Sequence, residues 1–195
     1  MRFENTSIDS VKSDTQRALA SYWDRLAADR FFPSIFDFKP KSHLHDAKQL
    51  VVWKVEREKS QRRFRALYQG GNVSEAFDFA WAGKTMDEVV PEFVASFALD
   101  AANECALSGC VIYTVFSTWD EGGHRVDCER LLLPFGQDGV MVEQIVASLQ
   151  LKSAEGDFER ASILERFQLR AELTFSGKIR SAFAKQKLGS PSPKS

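Results

Sequence analysis

Residues 129–142 read ERLLLPFGQDGVMV. Leu131, Leu132 and Leu133 form an apolar β-prone run that Pro134 is expected to stop, and Val140 opens a second apolar run reaching Leu151. Asp138-Gly139 between two such runs predicts a hairpin, because the turn needs a positive φ that costs glycine nothing. A hairpin at this point closes an antiparallel sheet. Together with the helical patterns from Thr85 to Gly109, it suggests a small sensory or interaction domain rather than a catalytic scaffold.

Before the hairpin lie three further strand patterns. Gln49 to Arg57 reads QLVVWKVER, with Val51, Trp53 and Val55 on one face, and Arg62 to Gln69 follows after a polar hairpin. Cys110 to Trp119 pairs with His124 to Leu133 around Glu121-Gly122-Gly123. Between these pairs the chain turns helical. Gly70-Gly71 ends a strand, Asn72-x-x-Glu75 looks like a capped helix through Phe79, and Thr85-x-x-Glu88 repeats the capping device. Pro91 suits the first turn of a longer helix that ends before Ser108-Gly109. Strands clustered in runs with tight turns favour an α+β antiparallel sheet over a wound βαβ sheet.

Outside this block, Ser13-x-x-Gln16 predicts a capping box for an amphipathic helix. Leu19, Tyr22, Trp23 and Leu26 form its apolar stripe, which needs a partner either in its own domain or in a second copy. FFPSIFDFKP, from Phe31 to Pro40, reads as an irregular segment anchored by aromatic residues. After Leu151 the pattern is divided: Phe158, Ala161, Leu164 and Phe167 are at helical spacing, whereas FQLRAELTF from Phe167 to Phe175 alternates as a strand does. The helix formers Glu165, Arg166, Arg170 and Glu172 tilt the reading toward helix. The expected organisation is an N-terminal extension and helix over 1–30, a core over 31–151, a helical extension over 152–188 and a disordered tail over 189–195.

The 195 residues, 44% hydrophobic and 27% charged, allow one domain with a substantial core. A net charge of -1 gives no global electrostatic reason to expect nucleic acid or a membrane as partner. Three cysteines without a Cys-x-x-Cys pair suggest a reducing compartment, and neither a signal-peptide core nor a run of about 18 uncharged residues is present; a cytoplasmic location is expected.

The order of elements resembles the PAS fold, and the local motifs are similar to a divergent bacterial PAS family. The resemblance covers Ala18 to Leu149. It rests on Tyr22-Trp23, Pro33-Ser34 with Asp37 and Pro40, Phe64-Arg65, Gly83-Lys84, and Glu129-Arg130-Leu131-Leu132-Leu133-Pro134 with Asp138-Gly139. Tyr68 and Asp78 depart from it, standing near positions where that pattern has glycine. The resemblance implies a five-stranded antiparallel sheet ordered 2-1-5-4-3 with helices on one face, enclosing a ligand cavity. It also implies a non-catalytic sensor in signal transduction, acting through protein–protein contact as a homodimer with an unidentified signalling protein.

For the cavity, Trp53, Phe77, Phe79, Trp81, Met86, Val89, Val90, Phe93, Phe97, Tyr113 and Val115 are the candidate lining, suited to a small apolar ligand or to a filled core. Leu19, Tyr22, Trp23 and Leu26 are the candidate dimer or partner contacts. No cofactor is evident. A covalent flavin is disfavoured because the crossover has no cysteine except the apolar Cys105, and haem because no histidine lies between His45 and His124. No nucleophile–base signature or phosphate-binding loop occurs, so catalysis has no visible seat. Two alternatives remain: a small metal protein or enzyme on His43 and His45 with Asp37 or Asp46, and a nucleotide-binding regulator on Arg62, Arg63 and Arg65 beside Lys59. The plainer reading of that basic run is a charged edge strand.

Overall fold

A computed structural model of the protein describes residues 1–39, 47–58, 61–77, 80–90, 92–119, 124–153 and 171–189. In chain order the elements are β1 (Glu4–Asn5), α1 (Asp14–Ala27), β2 (Leu50–Glu58), β3 (Gln61–Gln69), α2 (Gly71–Phe77), α3 (Met86–Val89), α4 (Glu92–Ser108), β4 (Val111–Trp119), β5 (Arg125–Phe135), β6 (Gln144–Ser153), β7 (Glu172–Ile179) and α5 (Ala182–Gly189). The architecture is mixed α and β around a seven-stranded sheet, ordered β1-β7-β4-β5-β6-β2-β3. All pairings are antiparallel except β1 with β7.

The sheet departs from expectation in strand number and in overall order. The five anticipated strands lie side by side as β3-β2-β6-β5-β4, and β7 and β1 continue the sheet beyond β4. The segment read as helical therefore contains a strand: β7 pairs with β4 from Val111↔Ile179 to Ser117↔Glu172. The period-two alternation prevails over helix propensity because β4 is buried at nearly every position and needs a neighbour along both edges. Phe175 on β7 packs against Tyr113 with ring centroids 5.8 Å apart. Residues 172–189 are thus built into the fold; the helical pattern over 158–167 lies outside the described residues.

Helices cover both faces of the sheet. The side chains at 112, 114, 116, 128, 130, 132, 145, 147 and 149 point toward α3 and α4, and the alternate positions point toward α1, as the strand register requires. Small residues on α4, namely Ala98, Ala101, Ala102, Cys105 and Ala106, are buried and let the helix approach the sheet closely. On the other face α1 buries Gln16, Leu19, Ala20, Trp23 and Ala27. Full burial of a side chain such as Leu19 contributes roughly 2 kcal/mol.

Two capping expectations change in detail. Ser13 Oγ accepts from Gln16 N at 3.4 Å, but Gln16 does not reach back to complete a capping box. Its Nε2 donates to the Glu129 and Ser148 carbonyls at 3.2 and 3.0 Å, and the Ser13 N–H donates to Glu129 Oε2 at 3.1 Å. At α3 the expected device forms, with Thr85 N donating to Glu88 Oε2 at 2.6 Å. Asn72 lies within the first turn of α2 rather than capping it.

The stretch 129–142 also folds differently from its reading. Pro134 does not end β5, which runs to Phe135. The last β5 residue registered with β4 is Leu132, so no ladder donor is needed from Pro134 on that side. The Pro134 carbonyl instead accepts Trp23 Nε1–H at 2.8 Å. Gly139 has a φ of 69°, as the turn demands. However, β6 begins at Gln144 rather than Val140, because Asp138 Oδ1 accepts from Val140 N at 2.8 Å and Met141 N at 3.1 Å and holds both in the turn. Val140 and Met141 are consequently exposed.

Candidate functional site

The helical crossover from α2 to α4 leaves the outer edge of β3 and crosses the sheet toward β4. Its segment just before α3 is pinned to β3 by Ala66 N donating to Lys84 O and Gly83 N donating to Ala66 O, both at 2.9 Å. Arg65 adds a hydrogen bond from Nη1 to Gly83 O at 2.6 Å. Where α3 and α4 bridge the sheet they leave a cavity of ≈ 50 Å³.

Of the candidate lining residues, Trp53, Trp81, Met86 and Val90 come together at this cavity. Trp53 and Trp81 sit with ring centroids 5.6 Å apart. Val89 is buried in the surrounding core without lining the cavity. Phe97 contributes its backbone carbonyl to a neighbouring hydrogen bond. Phe79 and the side chains of Phe77 and Phe93 lie outside the described residues.

Tyr113 and Val115 are corrected: both face α1, on the opposite side of the sheet. The alternation of β4 turns them away and brings Phe116 to the cavity instead.

The remaining lining was not anticipated from sequence. Val94 and Ala98 come from α4, Cys128, Arg130 and Leu132 from β5, and Ala147 and Leu149 from β6. Among the described lining residues Arg130 alone is charged, and it is 8% exposed. Its Nε donates to Thr114 Oγ1 at 3.2 Å and its Nη2 to Phe97 O at 2.9 Å. Burial pushes the guanidinium pKa down to about 10. Burial likewise pushes the Cys128 thiol up to about 12, which leaves it an inert part of the wall.

Glu129, the neighbour of Arg130 in sequence, serves the other face. It is 2% exposed, accepts from Tyr113 Oη–H at 2.9 Å and from Ser13 N, and pairs with Lys152 Nζ at 3.1 Å. Two adjacent charges are thereby sent to opposite sides of a central strand. Glu129 anchors the start of α1, and Arg130 enters the cavity.

The residues expected to meet a partner are used differently. Leu19 and Trp23 are each 1% exposed, packed against this chain's own sheet, so they are corrected from partner contacts to core. Tyr22 and Leu26 are half-buried; Tyr22 lies near Phe38, at 6.0 Å between centroids, and its hydroxyl accepts from Lys39 N at 3.3 Å.

Neither alternative site is assembled among the described residues. His43, His45 and Asp46 lie outside them, Asp37 pairs with Arg30 at 3.2 Å, and no cluster of three or more His, Cys, Asp or Glu is suited to a metal among those described. Arg62, Arg63 and Arg65 do not share a face. Arg62 alternates with Arg63 and Arg65 across the sheet, and Arg65 holds Glu56 through its Nε at 3.0 and 3.1 Å. Tyr68, at a departure from the family pattern, is an exposed edge residue whose hydroxyl donates to Ala47 O at 3.2 Å; Asp78 is outside the described set.

No family model matches the chain, and no curated protein matches it. Among solved structures, one described as that of an RNA-binding light-oxygen-voltage receptor aligns over 69% of this chain at 17% identity with a TM-score of 0.39. The chain spans 39% of that protein's length. No helix among the described residues is long and apolar enough to cross a membrane.

Proposed function

We propose that this chain is a PAS-like sensory and regulatory domain without catalysis of its own. In this reading it is a cytoplasmic homodimer that acts in signal transduction through contact with a signalling protein, and it takes a small ligand between its helical crossover and its sheet. The observation that carries the reading is the run β3-β2-β6-β5-β4, with the connection between β3 and β4 arching over the sheet to enclose a cavity. That arrangement is the one the family resemblance implies for a ligand-sensing core. The cavity is lined mainly by apolar side chains with one convergent polar group, a composition suited to small-molecule binding.

The test is native mass spectrometry of the protein as purified, followed by the same sample denatured. Dimer mass carrying an excess that disappears on denaturation is the expected result. A bare monomer at every concentration would overturn the reading of a dimeric, ligand-holding regulator.

A further inference from the structure

Among the described residues, the cation in the cavity has no counter-charge. Arg130 stands on β5, near the middle of the sheet, and the residue is 8% exposed. Its two hydrogen bonds go to neutral oxygens, the Thr114 hydroxyl and the Phe97 carbonyl. No carboxylate lies within 4 Å of it among the described residues, and Glu129, adjacent in sequence, points through the sheet to Tyr113 and Lys152. The other described lining residues, among them Trp53, Met86, Leu132, Ala147 and Leu149, are uncharged and mainly apolar.

A desolvated charge is unfavourable unless paired, and an apolar side chain of similar volume would fill the same space without that cost. A guanidinium has five N–H donors in a planar fork, so the two bonds to Thr114 and Phe97 leave donors for a third partner. The group whose geometry matches the fork and whose charge offsets the burial is a carboxylate. A phosphate would call for several cations or a row of backbone donors, whereas the described residues of this wall supply a single cation. The volume of ≈ 50 Å³ sets the size, a few times the space that one water requires.

We propose that the cavity is a site for a short-chain monocarboxylate, its charged end paired with Arg130 and its apolar tail lying against Met86, Ala147 and Leu149. The proposal rests on the reading of this cavity as a ligand site, and it adds the chemistry of the ligand.

The experiment is a ligand-observed NMR titration of the full chain with butyrate and, separately, with its neutral isostere butyramide. Butyrate is expected to bind saturably and at least about tenfold more tightly than butyramide, the difference that a charge-assisted pair makes over a neutral one. Arg130→Met, which keeps an unbranched stem in the cavity wall and removes the charge, should weaken butyrate by a similar factor, and Ala147→Leu should block both probes by filling the cavity. If butyrate and butyramide bind equally and Ala147→Leu abolishes both, the carboxylate assignment is overturned while the cavity stands as a ligand site. Absence of saturable butyrate binding also overturns the assignment. The acid-to-amide comparison on the unaltered protein decides the question even if Arg130→Met does not fold.

Discussion

Replacing Glu129 with alanine tests whether the buried polar group on the α1 face holds the N-terminal segment to the sheet. The side chain is almost fully buried and gives Oε2 to two donors, Ser13 N–H at 3.1 Å and Tyr113 Oη–H at 2.9 Å. Ser13 is itself 3% exposed, so alanine leaves both donors in a dry interface with no acceptor. Each orphaned donor costs about 1–3 kcal/mol, giving about 2–6 kcal/mol for the two. That range agrees with the roughly 3–5 kcal/mol lost when one member of a buried charged group is removed. Lys152 receives no weight in this sum, because its side chain is 49% exposed and can be solvated after the change. For a chain of this size each kcal/mol lowers the melting temperature by about 2–4 °C, so the expected fall is about 4–24 °C. Glu129→Gln keeps one acceptor oxygen and should lose only about 1–2 kcal/mol. Urea unfolding followed by tryptophan fluorescence measures both variants, with Trp23 buried in the same interface. A Glu129→Ala variant within about 0.5 kcal/mol of the parent would refute the reasoning, since that is the size of an ordinary surface substitution.

The turn that opens β6 gives a pH prediction. The N–H groups of Met141 and Val140 hold the Asp138 carboxyl below its ordinary value of 3.8, so its contribution is complete above that value and is lost as pH falls through the lower folded value. Asp138→Asn should flatten this acid limb in melting temperature against pH; an unchanged limb would place the acid sensitivity elsewhere. Burial raises the thiol pKa of Cys105 and Cys128, and Cys110, near Cys105, is also buried. Native protein at about pH 8 should therefore react with iodoacetamide no faster than it unfolds, and rapid labelling of either Cys105 or Cys128 would contradict their placement.

The amino-acid sequence by itself determined the local elements whose signals are local. The Asp138-Gly139 turn, the Thr85-x-x-Glu88 cap, the end of α4 at Gly109 and the paired runs of β2 with β3 and β4 with β5 are read from neighbours a few residues apart. Helical spacing likewise marked the stripe of α1, and four of the cavity residues followed from the aromatic and apolar character of β2 and the crossover. The expected order left β4 at the edge of the sheet, whereas β4 is buried at nearly every position and β7 pairs along its outer side.

Tertiary structure decided what depends on partners distant in the chain. Whether FQLRAELTF becomes strand or helix turns on the open edge of β4, and whether α1 packs on its own sheet turns on Trp23 finding the Pro134 carbonyl 111 residues away. The same holds for Glu129 and Arg130. Their adjacency is visible in the sequence, but only the sheet sends one to α1 and the other into the cavity, because successive side chains of a strand leave it on opposite faces and the two faces here are covered by different helices.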